Sequence, residues 1–523
     1  MTEDSRNAHR RLLRNASSQI GGKGLYMITR LGLPPFILHH ISIQEYGIWS
    51  TCFLLVSYIS MGTFGIAGVY IRYSAEYFAR GQLDKIGRLL GAGIWLTVGF
   101  SSVVLGGLWL AMPWVFRWFH IDVDHQDTAV ILILGVVGAM LLDLMFPYAY
   151  VLQGIQRNAE QTTIWTLSYL LETVLIVVFL LQGMGLPGLM LAFVLRSVFA
   201  LLVLLVWFKR ILPGFKIYLF GLGNEQWRLF VRYGGVLQLI GIASTLLSTS
   251  ERAMAGYVTK GVGAVGLLDI GQKFPLMASQ LFNAAANSFL SAITHLHSLG
   301  HQQEVADMYL RTARYLSLLN ALAMGFMVPF AEVLITSWIG KGIDFHAAAL
   351  ILVYTAIGSH VQTLTSPVTG YFQAIARPGR SLYTFVIPQT VLLVAGLAWV
   401  FWHNQQSLLM LVQVAMSARI ASSIVVIIYG NWLMGVGQFE YFKKVLLVGM
   451  LPYLIGVLIE RATSIYCPLA GLDRWQSLVL LLPLAAAYGL LTLLIVYSAF
   501  CSKEERAAVR GWFGKLSFRR TAS

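Results

Sequence analysis

Runs of about twenty apolar residues recur from one end of the sequence to the other, and this recurrence constrains the fold more than any single motif. A helix needs about 20 apolar residues to cross a ~30 Å hydrocarbon core. Only helices and closed barrels can satisfy their backbone polar groups in lipid. The runs are read as fourteen spans at 17–38, 47–70, 90–114, 128–150, 160–182, 186–208, 231–254, 273–295, 314–337, 346–370, 381–402, 407–430, 442–461 and 476–500. Charged residues make up only 11% of the 523 positions, against about 25% in soluble domains. The mean hydropathy of +0.70 agrees. The expected fold is an all-α polytopic membrane protein with about 14 transmembrane helices and no separate soluble domain.

A net charge of +14 raises the question of nucleic acid, and its distribution answers it. One set of alternate loops holds Arg6, Arg10, Arg11, Arg14, Arg80, Lys85, Arg88, Arg157, Lys209, Arg210, Lys216, Arg228, Arg232, Arg311, Arg314, Arg377, Arg380, Lys443, Lys444 and the tail from Lys503 to Arg520. The other holds Arg117, Lys260, Lys341, Arg461 and Arg474 with a few residues at helix ends. By the positive-inside rule the first set is cytoplasmic, so both termini are cytoplasmic and the span count is even. The charge is mostly a topology signal, and no nucleic-acid partner is expected. The basic leader before Leu25 runs into a full-length span without a small-residue cleavage site, so no cleavable signal peptide is expected. Cys52, Cys467 and Cys501 are scattered, which excludes a disulfide framework and metal-type spacing.

Short echoes recur at nearly one offset. Arg10-x-x-x-Arg14 resembles Arg228-x-x-x-Arg232, Gln19 matches Gln238, and Tyr46-Gly47-Ile48 matches Val265-Gly266-Leu267. Gln153-Gly154-Ile155-Gln156-Arg157 likewise matches Gln373-Ala374-Ile375-Ala376-Arg377, and the offsets run from 218 to 220. A shift of six spans preserves direction, so two lobes would be related by an axis along the membrane normal, with substrate binding between them near the midplane. The organisation expected is a cytoplasmic segment 1–16, an N-lobe 17–220, a C-lobe 221–438, two added helices in 439–501 and a basic tail 502–523.

Ionisable residues at membrane depth are costly and face a cavity or a partner. Gln19, Lys23, Tyr26 and Arg30 share one face of span 1, and Gln238, Thr245, Thr249 and Arg252 share one face of span 7. Arg72 closes span 2 and Lys273 opens span 8, while Arg196 and Arg419 are embedded in spans 6 and 12. One reading is a cationic cavity for an anionic headgroup, because arginine binds phosphate bidentately and low dielectric strengthens the bond. Its substrate-binding residues would be Arg30, Arg252, Arg72, Lys273, Lys23 and Arg419. The competing reading is internal pairing or snorkelling: Arg252 with Glu251, Arg72 with Glu76, Arg196 with Glu172. The embedded acids are Asp143, Glu172, Glu251 and Glu332, each a candidate to carry a coupling proton, with Glu251 and Glu172 the candidates named for H+ or Na+ coupling. Asp143 and Glu332 lie near span ends, where interfacial solvation is the better reading.

Other signals carry less. Ile20-Gly21-Gly22-Lys23-Gly24 lacks the full phosphate-loop pattern and opens a span, so nucleotide binding is rejected. His295, His297 and His301 have no acidic or thiol ligand beside them in sequence, so no metal site and no cofactor is expected. His39-His40 lie at the outer mouth of span 1, and no serine–histidine–carboxylate arrangement is recognisable. Pro34-Pro35, Pro147, Pro329, Pro367, Pro388 and Pro452 interrupt spans, which permits kinks.

Gln44-Glu45-Tyr46-Gly47-Ile48-Trp49 resembles the E-[YF]-G-x-[WY] turn after the first helix of Wzx-type polysaccharide flippases. Phe64-Gly65-Ile66 and Ile71-Arg72-Tyr73-Ser74-Ala75-Glu76-Tyr77 are similar to that family's glycine-rich segment and R-x-x-A-E-Y ending. Gln153-Gly154-Ile155-Gln156-Arg157 resembles its Q-G-x-x-[RK] close of helix 4, and Gly263-Ala264-Val265-Gly266 its turn after helix 7. Leu267-Leu268 replace the usual aromatic there, and Glu251-Arg252 stand where an aspartate is common. The resemblance, to a family of the multidrug/oligosaccharidyl-lipid/polysaccharide exporter superfamily, runs through the whole chain as ordered patterns. It implies two six-helix lobes in a V around a central cavity, plus two C-terminal helices, in the bacterial inner membrane. It also implies translocation of undecaprenyl-pyrophosphate-linked oligosaccharide by alternating access, for surface polysaccharides such as O-antigen or exopolysaccharide. Partners on this reading are the lipid-linked oligosaccharide, membrane lipids, and a polysaccharide polymerase with its chain-length machinery.

Three other functions compete. A peptidoglycan-precursor flippase also handles pyrophosphate and often has fourteen helices. A multidrug exporter typically has twelve helices and an early carboxylate, where this chain has Lys23 and Arg30. A membrane glycan polymerase or ligase needs a large outer loop for its catalytic residues, and the outer loops here reach only about 15–20 residues. An enzyme is therefore not expected.

Overall fold

The computed structural model describes residues 3–61, 64–121, 126–155, 157–213, 215–220, 223–230, 235–298, 301–340, 343–375, 377, 379–466, 472–500 and 506. Some residues singled out above lie outside the description: Gln156, Arg232, Lys341, Ala376, Cys467, Cys501 and the basic tail apart from Arg506. So do the side chains of Arg6, Arg10, Arg11, Arg14, Gln19, His295 and His297.

The described chain is helical and contains no strand. Its helices are α1 (Glu3–His40), α2 (Ile43–Ser60), α3 (Phe64–Ala79), α4 (Leu83–Phe119), α5 (Gln126–Gly154), α6 (Asn158–Leu181), α7 (Gly185–Ile211), the short α8 (Asn224–Leu229), α9 (Gly235–Thr259) and α10 (Gly263–Ser298). Then follow α11 (Gln302–Met327), α12 (Ala331–Ile339), α13 (Phe345–Thr363), α14 (Ser366–Ala374), α15 (Ile387–Trp402), α16 (Leu408–Met434), α17 (Gln438–Tyr441), α18 (Leu447–Tyr466) and α19 (Arg474–Ile495). Each of the fourteen sequence spans falls on one of these helices or on a broken pair of them.

Three spans are not single helices. Span 2 divides into α2 and α3, span 10 into α13 and α14, and span 9 into α11 and α12, bent by 69°. Pro329 sits at the bend of span 9, where its missing N–H and its ring interrupt the helix. Among the described residues nine helices are long and apolar enough to cross a membrane, ten with the bent pair. Helices α1, α9 and α10 are long enough but fall short in apolarity. These carry spans 1, 7 and 8, where Lys23, Arg30, Arg252 and Lys273 lie. Large apolar side chains stand exposed elsewhere, Leu110 at 80% and Leu482 at 73%. Such exposure is costly in water and neutral in lipid, because lipid tails are as apolar as leucine.

The chain divides into two compact units. The first comprises Met1–Ile270, Gly342–Asp344 and Val386–Ala415. Its core joins α3, α4, α5 and α7 through Val69, Tyr70, Leu89, Leu90, Leu152 and Leu204. The second comprises Gly271–Lys341, Phe345–Phe385 and Met416–Ser523. Its core gathers Tyr309, Val368, Phe372, Val426, Tyr441 and Val445. Within it α18 lies against α11 at close range, because Gly456 has no Cβ to strike the Gly325 carbonyl, 2.0 Å from where one would stand.

Candidate functional site

Three helices of the first unit bring arginine and glutamate together at membrane depth. The Arg30 guanidinium of α1 donates to Glu172 Oε2 of α6 at 2.6 Å, and Arg196 Nη1 of α7 approaches the same oxygen at 3.3 Å. Glu172 is 1% exposed, Arg196 3% and Arg30 16%. One acid between two arginines leaves a net positive charge.

Aromatic rings complete the site. The Arg30 guanidinium lies 5.4 Å from the Tyr26 ring centroid and 5.1 Å from that of Tyr169, and Arg196 lies 4.9 Å from Tyr169 and 4.5 Å from Phe193. Ring faces attract cations, more so where water is excluded. The helical period places these groups: Tyr26 and Arg30 are four apart, Tyr169 and Glu172 three apart, Phe193 and Arg196 three apart. Arg30 is the less buried arginine of the cluster, so it is the one a ligand can reach. Arg196 takes the internal pairing expected of it.

Span 7 spends its polar face differently. Gln238 donates to the Met61 carbonyl at the end of α2, and the Thr249 hydroxyl donates to Tyr58 at 3.3 Å. Arg252 does not pair with the neighbouring Glu251 as the alternative supposed. It lies 3.3 Å from Asp269 of α10, and Asp269 accepts the Tyr46 hydroxyl at 2.8 Å. Tyr46 and Asp269 stand in the first turns of α2 and α10, and Arg252 in the second half of α9.

The turn Glu45-Tyr46-Gly47 thereby acquires a physical basis. Glu45 accepts from the Ser42 amide at 2.7 Å while its own amide donates to the Ser42 hydroxyl, which caps α2. Tyr46 reaches Asp269. A Cβ on Gly47 would stand 2.1 Å from the Val262 carbonyl oxygen, and one on Gly266 would stand 3.2 Å from Gly47 Cα. The two glycines matched by the internal echo therefore pack on one another.

The remaining candidates are separate from this cluster. Lys23 is exposed on α1. Arg72 is exposed and lies over the Tyr73 ring, while Glu76 pairs with Arg80 at 3.0 Å instead. Lys273 is half-buried on α10, Glu251 is buried on α9, and Arg419 is buried on α16 in the second unit. Glu332 is exposed, as an interfacial acid should be. Asp143 is not: it is 0% exposed, which corrects the expectation of interfacial solvation. Sequence reasoning also missed Asp269 and Tyr169. The three-residue spacing of Tyr169 and Glu172 was a usable signal, whereas nothing local marks Asp269. Among the described residues no group of three or more His, Cys, Asp or Glu side chains is placed to hold a metal ion.

The polysaccharide biosynthesis protein family matches residues 12–291, more than half of the chain. The chain belongs to this family. No curated protein matches it in sequence. Solved structures match in fold. The lipid II flippase MurJ in an inward closed conformation aligns with a TM-score of 0.68 at 12% identity, over 92% of this chain and 98% of that one. An inward-facing multidrug resistance MATE family transporter of the MOP superfamily aligns with a TM-score of 0.60 at 15% identity, over 80% and 94%. A MOP superfamily transporter from Pyrococcus furiosus, whose binding pocket is described as reversed in polarity, gives 0.60 at 14%, over 81% and 95%. These likenesses show a shared fold, and the long apolar helices make the chain a multi-pass membrane protein.

Proposed function

We propose that this family member is a flippase that moves undecaprenyl-pyrophosphate-linked oligosaccharide across the bacterial inner membrane by alternating access, for surface polysaccharide biosynthesis. The observation that carries the reading is the Arg30–Glu172–Arg196 cluster: a net positive, ring-lined site at membrane depth. A pyrophosphate is the chemistry such a site selects. Glu172 holds Arg30 in a fixed rotamer, and an arriving phosphate oxygen, carrying more charge, competes for the same guanidinium. Arg252, Arg72, Lys273, Lys23 and Arg419 are proposed as further contacts along the path; Arg252 becomes available once its pair with Asp269 opens.

On this reading two six-helix lobes, 17–220 and 221–438, rock about the site, helices in 439–501 are an appendage, and both termini are cytoplasmic. The protein performs no covalent chemistry, and polymerase and chain-length machinery receive its product. The test is Arg30→Ala: glycan export falls to background while the protein stays in the membrane. Full export would end the cationic-site reading. A peptidoglycan-precursor flippase is the second reading, favoured by the likeness to the lipid II flippase fold across 92% of the chain. Deleting the gene and identifying the lipid-linked intermediate that accumulates separates the two.

A further inference from the structure

The first unit contains a second embedded acid whose surroundings are the opposite of those of Glu172. Asp143, on α5, is 0% exposed. Its hydrogen-bond partners among the described residues are two serine hydroxyls, each donating at 3.2 Å: Ser60 from the last turn of α2 and Ser101 from α4. Among the described residues no arginine or lysine reaches it. An isolated buried carboxylate is strongly disfavoured as an ion and neutralises itself by taking a proton.

The neighbouring helices supply no counter-charge. On α7 and α6, Arg196 and Glu172 are committed to each other and to Arg30. On α3, Tyr70 donates to the Leu90 carbonyl and Arg72 lies over Tyr73. On α2, Tyr58 accepts from Thr249, and Cys52 is buried against Gly135 and Met190. On α5 itself, the titratable group within electrostatic range of Asp143 is Tyr150. A phenol is neutral in this range and offers no positive charge.

We propose that Asp143 is a proton-carrying site of this transporter, and that α2 conveys its protonation state to the extracytoplasmic contact. The ligand is a proton rather than sodium: one carboxylate and two hydroxyls are too few oxygens for a metal cation, which takes about six or more. The ionised carboxylate accepts from both serines. Protonated, it becomes a donor itself and gives up part of that acceptance. Ser60 therefore loosens at one end of α2, and the other end carries Tyr46 and Gly47, packed against Asp269 and Val262. Ser60 lies 14 residues along α2 from Tyr46, so about 21 Å of rigid helix joins the two places. Protonation at Asp143 thus biases whether the outer ends of α2, α9 and α10 stay closed.

The protonation part stands without the flippase reading; the coupling to cargo rests on it. The test uses the full chain in lipid nanodiscs and reads the two parts separately. Infrared difference spectra across a pH titration should show a protonated-carboxyl band that is lost in Asp143→Asn and does not change when sodium replaces potassium. Labelling of Thr245→Cys by a membrane-impermeant thiol reagent, in a background lacking the native cysteines, should vary with pH in the parent and become pH-independent with Asp143→Asn. If Asp143→Asn does not fold, Ser60→Ala and Ser101→Ala each remove a donor to the ionised form and should move the band's midpoint to higher pH. A carboxyl that stays ionised throughout, a band displaced by sodium at fixed pH, or labelling that keeps its pH dependence in Asp143→Asn would each overturn the proposal. None of these readouts involves a glycan, so a failure of the flippase reading would not register in them.

Discussion

The Arg252 guanidinium stands 3.3 Å from one oxygen of Asp269, and the other oxygen of Asp269 accepts the Tyr46 hydroxyl at 2.8 Å. Three helices, α9, α10 and α2, thus converge on one carboxylate. Around it the backbones approach closely, Gly47 against Val262 and Gly256 against Phe119. The Trp118 indole donates to the Ala253 carbonyl at 2.6 Å. The arrangement closes this end of the helices, and Arg252 is part of the closure.

Asp269→Asn removes the ion pair while keeping the side chain's shape. Both partners are partly exposed, so the pair contributes little to global stability. The expected effect is local. Thr245→Cys on α9 should react several-fold faster with an impermeant thiol reagent added from the extracytoplasmic side, with no loss of protein from the membrane. Unchanged labelling would show that the glycine contacts alone hold the helices shut.

Glu172 offers a sharper energetic test. Removing one member of a buried charge cluster leaves its partners uncompensated, at a cost of about 3–5 kcal/mol. Glu172→Gln leaves Arg30 and Arg196 side by side. It should lower the melting temperature of the purified protein markedly, whereas Arg30→Ala should lower it far less, because Arg196 still pairs with Glu172. Export should fail in both. A melting point in Glu172→Gln equal to that of the parent would mean that the two arginines find other anions, and the cluster would lose its structural weight.

The two clusters differ in how far the sequence announced them. All fourteen spans and the positions of the embedded arginines were legible, because a lipid solvent enforces length and polarity rules that act residue by residue. The Arg196–Glu172 pair was within reach for the same reason: each residue needs a partner, and adjacent spans supply one. Asp143 was misjudged because distance from a span end stood in for burial, and burial depends on which neighbours pack over the residue. Asp269 could not be found, since its importance comes from Tyr46, 223 positions away. Hydropathy does not fall at a bend, so it gave no sign of the break in span 2, whereas Pro329 and Pro367 marked those in spans 9 and 10.

The segment that follows α7 invites a third experiment. Residues 215–220 run along the start of α4, where Gly87 and Gly91 leave room for the backbone. A Cβ on Gly91 would stand 1.9 Å from the Tyr218 carbonyl oxygen. Tyr218 donates to Asp84 at 2.9 Å, and the Trp95 indole donates to the Leu219 carbonyl at 2.8 Å. Because the closest atom is backbone, Gly91→Ala forces the segment off the helix. Trypsin should then cut after Lys216 several-fold faster than in the parent, with the helical content unchanged. Equal cutting rates would mean that the segment is held by Tyr218 and Trp95 without needing the glycine.

The C-terminal helices depend on the same kind of small-residue packing, in the second unit. Gly456 of α18 meets the Gly325 carbonyl of α11, and a Cβ on Gly449 would stand 2.0 Å from the Ser317 hydroxyl. Polar contacts fix the register: Tyr453 meets His360 at 2.9 Å, His360 meets Ser317 at 3.2 Å, and Tyr488 of α19 donates to the Ala321 carbonyl at 3.2 Å. In lipid there is no hydrophobic force to press helices together, so close backbone approach and buried hydrogen bonds carry the association. Gly456→Leu removes the approach and Tyr453→Phe removes one bond, worth about 1 kcal/mol. The leucine variant should therefore lower the melting temperature well beyond the phenylalanine variant. If the two variants melt alike, the hydrogen-bonded chain through His360 carries the attachment and the glycine contact is incidental.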